Sequence, residues 1–121
     1  MKFPYRNNLP VISIKIFGKT SKEVEAHIDF AASKTVIPPS VAEELELKFA
    51  GFESVATGAG IILMPDYEAI VEVFGKRHRI LVGCLDLPKE TPIKALVGRD
   101  ILDEYKVCLN GKSQEVEVSD P

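Results

Sequence analysis

The sequence predicts a small, mostly β fold closed into a barrel, with one or two short helices. Three observations carry that expectation. Apolar and polar residues alternate with a period of two over most of the chain, glycine, proline and asparagine clusters break the alternation at short intervals, and only residues 38–47 and 98–105 have helical composition. Many short strands with two short helices build a compact barrel more readily than a layered α/β fold. At 121 residues, positions 1–121 are expected to form one domain, large enough for one core and too short for a two-lobed enzyme. Apolar residues at 45% and charged residues at 27% exclude a disordered chain. No apolar run approaches the roughly 20 residues of a membrane span, and the start Met1-Lys2-Phe3-Pro4 lacks the apolar middle of a secretory signal. A cytoplasmic protein without a membrane partner is expected. A net charge of -3 with pI ≈ 5.4 gives no footprint for nucleic acid.

Residues 11–17 alternate, Gly18-Lys19-Thr20-Ser21 supplies a turn, and 22–29 alternate again, which predicts two antiparallel strands. Thr35-Val36-Ile37 is a further short extended run. Over 38–47 the period changes, and Ser40 with Glu43 three residues on reads as a capping box opening a helix of about two turns. Residues 52–56 and 61–64 form a hairpin around Thr57-Gly58-Ala59-Gly60, ending at Pro65-Asp66, and Asp66, like Asp86, reads as a solvated loop residue. Residues 67–74 and 79–84 pair around Gly75-Lys76, so the basic run Lys76-Arg77-His78-Arg79 reads as a solvated turn. Residues 86–92 form a loop, 93–97 an inner strand, and 98–105 a short helix that Asp100 is placed to cap. Residues 107–109, Asn110-Gly111 and 114–118 close the chain as a β-ribbon. Cys84 and Cys108 lie in apolar contexts and are expected as buried thiols, or as a disulfide if the fold brings them together. His27, His78 and the two cysteines have no metal-ligand spacing, so neither a metal nor another cofactor is expected.

The candidate site lies at 24–38. Val24, Ala26 and Ile28 share one strand face, Glu25, His27 and Asp29 the other, and Asp29 stands where the strand ends in a turn of small residues, Ala31, Ala32 and Ser33. Three features resemble the retropepsin-like aspartic proteases, the single-lobe family that includes the retroviral enzymes. Ile28-Asp29-Phe30-Ala31-Ala32-Ser33 stands at the place of that family's Asp-Thr/Ser-Gly signature, Ala95-Leu96-Val97-Gly98-Arg99-Asp100 is similar to its later Gly-Arg-Asp/Asn motif, and Thr57-Gly58-Ala59-Gly60 lies at the interval of its flap tip. The resemblance implies a retropepsin-type barrel acting as a homodimer, Asp29 as the catalytic residue, and a polypeptide substrate held by Ala31, Ala32 and Ser33 below and by Thr57, Gly58, Ala59 and Gly60 above. It departs at Phe30, which lacks the hydroxyl that braces the two active-site loops across the dimer. It departs again at Ala31, where a Cβ replaces glycine. Arg99 and Asp100 are expected to position the helix or the dimer contact.

Peptide hydrolysis by carboxylates needs two of them, one taking a proton from water while the other, protonated, polarises the scissile carbonyl. One signature per chain therefore implies an Asp29 from each of two copies, sharing a proton and working best at roughly pH 4 to 6. An aspartic endopeptidase of extended polypeptides is the first reading. The alternative is a catalytically silent dimer of the same fold that binds peptide or assembles, with Phe30 packed across the interface. Residues 1–8 and 114–118 are expected, by the same resemblance, to interleave between the two copies.

Overall fold

The computed structural model describes residues 1–90 and 93–120, so Thr91 and Pro92 of the expected 86–92 loop lie outside the described residues. Six strands close a ring in the order β2 (Val11–Phe17), β3 (Ser21–Ile28), β8 (Ala95–Val97), β4 (Val36–Ile37), β7 (Lys76–Cys84) and β6 (Gly60–Val73), with β6 returning to β2 through Lys15↔Glu72 to Phe17↔Ile70. The predicted mostly β barrel is therefore the observed architecture. β5 (Lys48–Thr57) hangs outside the ring on β6. A separate three-stranded sheet joins β1 (Lys2–Pro4), β10 (Glu115–Ser119) and β9 (Lys106–Asn110) in that order. Two helices, α1 (Pro39–Glu44) and α2 (Arg99–Leu102), follow β4 and β8.

Alternation does what it predicts. On β2, Ile12, Ile14 and Ile16 point into the barrel and are almost fully buried beside Ala26 and Ile28 of β3. Val71, Val82, Val97, Ile101 and Leu102 complete the core, each such side chain stabilising the fold by about 1.5–3 kcal/mol relative to exposure. Val116 and Val118 seat the small sheet on this core. A line of aromatic rings, Phe3, Phe74 and Tyr105, joins the two sheets at centroid distances of 6.0 and 5.0 Å.

Several local expectations are corrected. The α1 N-cap is Pro38, with no side-chain cap bond, and Ser40 lies inside the helix. Proline tolerates the first helical position because its missing N–H would be unpaired there, so Pro39 starts the helix ahead of the capping box. β6 runs 14 residues straight through Pro65-Asp66. β7 joins β6 only from Asp66 onward, which leaves Pro65 on a stretch where one side needs no donor. Asp66 is consequently buried on a strand; Asp86 is exposed as expected. The β6–β7 turn is Phe74-Gly75, both at positive φ, one residue earlier than Gly75-Lys76.

The basic run belongs to β7, and His78 within it is buried, its Nδ1 2.9 Å from Glu104 and its Nε2 2.9 Å from the Tyr105 hydroxyl. Cys84 is buried, but Cys108 is exposed on β9. The two terminal segments expected to interleave pair with each other inside one chain, Lys2 to Pro4 against Glu117 to Glu115. Among the described residues no helix is long and apolar enough to cross a membrane.

Candidate functional site

Asp29 follows the last residue of β3, and its own N–H donates to the Val97 carbonyl of β8 at 3.0 Å. The chain then turns back: Ala32 N–H donates to the Asp29 carbonyl, and Ala31 N–H donates to Asp29 Oδ1 at 2.9 Å. That amide fixes one carboxylate oxygen, and among the described residues no hydrogen bond is recorded to the other. Ala31 has no positive φ, so the Cβ it carries meets no left-handed backbone strain, which removes one physical objection to this departure. Phe30 is 42% exposed beside Asp29.

The segment after β8 clasps this turn. Arg99 N–H donates to the Ala32 carbonyl at 2.9 Å and its guanidinium to the Phe30 carbonyl at 2.8 Å, so Arg99 holds the turn through its backbone. Asp100 does not cap α2, whose N-cap is Gly98 without a side-chain bond. Its carboxylate instead accepts the Thr35 N–H at 3.0 Å and the Thr35 hydroxyl at 2.8 Å. The same hydroxyl accepts the Gly98 N–H at 3.2 Å. Thr35 is fully buried, so its side of these bonds is closed to water, while Asp100 is partly exposed. A Cβ on Gly98 would stand 2.4 Å from the Lys34 carbonyl carbon, and only glycine lets the two backbones approach this closely.

Above the turn stands the β5–β6 hairpin. Thr57 faces Gly60 across its tip, the Thr57 hydroxyl donates to the Gly60 carbonyl at 2.8 Å, and Gly60 takes φ +111. Between hairpin and turn lies a cleft of about 400 Å³. Of the residues singled out in the sequence, Asp29, Ala31, Ala32 and Ser33 line its floor, and Thr57 and Gly58 its roof. Ala59 and Gly60 sit at the tip and do not line it.

Sequence reasoning missed the cleft's walls. Val55 and Ile62 are direct cross-strand partners on the hairpin face toward the cleft, and Val36, Met64, Leu85, Leu87 and Leu96 complete an apolar lining. Period two within the hairpin was the available signal for Val55 and Ile62. Lys34 was missed as well. Its ammonium lies 2.6 Å from Asp66 and 2.5 Å from Glu53, tying the Asp29 turn to both strands of the hairpin. Burial works against this charge, but the hydrogen bonds that the ammonium donates to Asp66 and Glu53 outweigh it and hold the Lys34 pKa above its usual value. The same bond holds the Glu53 carboxyl below its ordinary range. Burial pushes the Cys84 thiol up to about 11, so it stays protonated at neutral pH and offers no nucleophile.

Solved structures similar to this chain include proteases and a protease-like domain. A retropepsin-like aspartic protease from Rickettsia conorii superposes with a TM-score of 0.63 at 18% identity, over 98% of this chain and 97% of that one. The EIAV protease complexed with the inhibitor HBY-793 gives 0.64 at 16% identity, over 78% and 86%. The retroviral protease-like domain of Ddi1 from Leishmania major gives 0.54 at 13% identity, over 93% and 91%. No protein-family profile matches the sequence, and no curated protein matches it either. The chain has a retropepsin-like fold.

Proposed function

We propose that this chain is an aspartic endopeptidase acting as a homodimer, with Asp29 of each copy forming the catalytic pair. The observation that carries the reading is Asp29 itself: a carboxylate with one oxygen fixed by the Ala31 amide, on the floor of a cleft roofed by a hairpin, in a retropepsin-like fold. One Asp29 takes a proton from a water while the other, protonated, donates to the carbonyl of the scissile bond. The β5–β6 hairpin acts as the flap, and an extended polypeptide enters as an added strand between it and the turn. The apolar walls from Val36, Val55, Ile62 and Leu96 favour an apolar substrate side chain.

A second reading, a silent dimer that binds peptide without cleaving it, draws its support from Phe30, an exposed ring where the resemblance calls for a bracing hydroxyl. The two are separated by incubating a denatured protein mixture with the chain and with its Asp29→Asn variant from pH 3 to 8. Acid-range cleavage that disappears in the variant supports the peptidase. Absence of cleavage by the parent, with cleavage restored by Phe30→Thr plus Ala31→Gly, overturns it in favour of the silent dimer.

A further inference from the structure

A second cavity, of about 280 Å³, lies beside the Asp29 cleft and shares two of its walls, Leu87 and Leu96. Pro88 and Ile93 extend the apolar lining, and one polar side chain stands in it, the half-buried His27. The strands explain that placement. His27 and Leu96 are register partners on β3 and β8, so their side chains share one face, and alternation aims Asp29, two residues on, the same way. Two residues of strand span about 6.6 Å, which puts the cavity within a side chain's length of the Asp29 carboxylate. Among the described residues no hydrogen bond or ion pair reaches the His27 ring. Glu25, one step back on that face, is held by Arg6 at 2.8 Å, and Asp29 Oδ1 is taken by the Ala31 amide.

An imidazole donates through at least one nitrogen in either protonation state, so this apolar pocket holds a donor without an acceptor. A purely aliphatic substrate side chain would cover that N–H and leave it unpaired, at a cost. We infer that His27 is a specificity-determining residue, whose pocket takes an acidic substrate side chain, glutamate or aspartate, next to the scissile bond. The carboxylate accepts the imidazole N–H while the methylenes lie against Leu87, Leu96 and Ile93. A carboxylate is a stronger acceptor than a carboxamide and brings no N–H of its own that this lining would leave unpaired. Pairing of two copies about a two-fold axis gives one such pocket on each side of the bond. The inference rests on the proposed cleft and narrows what that cleft selects: an acid beside the reacting carbonyl, with apolar side chains kept for the walls of Val36, Val55 and Ile62.

Synthetic peptides of one extended sequence, with glutamate, glutamine or leucine at a single central position, are offered to the full chain at roughly pH 5, and mass spectrometry locates the broken bond. Cleavage next to glutamate is expected with a kcat/KM about 10- to 100-fold above that next to leucine, as a hydrogen bond to a charged group supplies, with glutamine between them. His27→Leu is expected to reverse that order and His27→Gln, which keeps a donor, to retain part of it, both with the circular dichroism spectrum of the parent. A parent that prefers leucine, or a glutamate preference that survives His27→Leu, overturns the pocket's role and leaves the peptidase reading standing. If no peptide is cut, fluorescence anisotropy of the same peptides, labelled, decides. Tighter binding of the glutamate peptide, lost in His27→Leu, supports the pocket within a silent peptide-binding dimer and removes the peptidase, whereas equal affinities overturn the pocket too.

Discussion

Replacing Thr35 by valine changes a hydroxyl for a methyl of nearly the same size, so its effect isolates the clasp between the Asp29 turn and α2. The hydroxyl donates to Asp100 Oδ1 at 2.8 Å and accepts from Gly98 N–H at 3.2 Å, at a residue with no exposed surface. A hydrogen bond to a charged group contributes about 1.5–3 kcal/mol, and the Gly98 amide left without its acceptor costs about 1–3 kcal/mol more. The Thr35 N–H still reaches the Asp100 carboxylate, which limits the damage. The expected loss is about 2–4 kcal/mol, a lowering of Tm by roughly 10 °C for a domain of this size. Urea unfolding followed by circular dichroism measures it, with Thr57→Val at the exposed hairpin tip as a control expected to lose less than about 1 kcal/mol. A Thr35→Val loss no larger than the control would refute the claim that this clasp holds the turn.

Two glycines with tight surroundings should differ sharply. A Cβ at Gly98 meets Lys34 backbone at 2.4 Å, whereas at Gly83 it meets the flexible end of Met64 at 2.3 Å. Gly98→Ala is therefore expected to unfold the chain or cost more than about 3 kcal/mol, and Gly83→Ala to cost about 1–3 kcal/mol as Met64 moves aside. Equal midpoints in denaturant would contradict this. Glu53 gives a pH-dependent test. Its pKa is depressed by Lys34, so the stability it contributes is present above its unfolded value near 4.5 and is lost as pH falls through the lower folded value. Because Glu53 is half exposed, Glu53→Gln should cost no more than about 1 kcal/mol at pH 7 and less at pH 3. The same loss at both pH values would remove the ion pair from the explanation.

The barrel was legible because its strands alternate cleanly: Ile12, Ile14 and Ile16 declare an inner face without help from any distant residue. The Asp29 turn and the hairpin tip were legible from small residues and glycines in sequence. What stayed hidden depends on partners far along the chain. Pro65-Asp66 has the composition of a turn, and the ammonium that pairs with its buried carboxylate comes from Lys34, 32 residues earlier. A carboxylate two residues past Gly98 reads equally well as a helix cap or as an acceptor for Thr35, and the choice of Thr35 is made by the clasp, 65 residues apart in sequence.

The central claim is that each active site takes one Asp29 from each of two copies, and mixing subunits tests it most directly. Parent and Asp29→Asn chains are combined in equal amounts, unfolded and refolded together, and the cleavage rate at the acid optimum is compared with that of the parent at the same total concentration. If both carboxylates are needed, only parent–parent pairs work and about one quarter of the rate remains. About one half would mean that each chain works alone, and the shared site would be wrong.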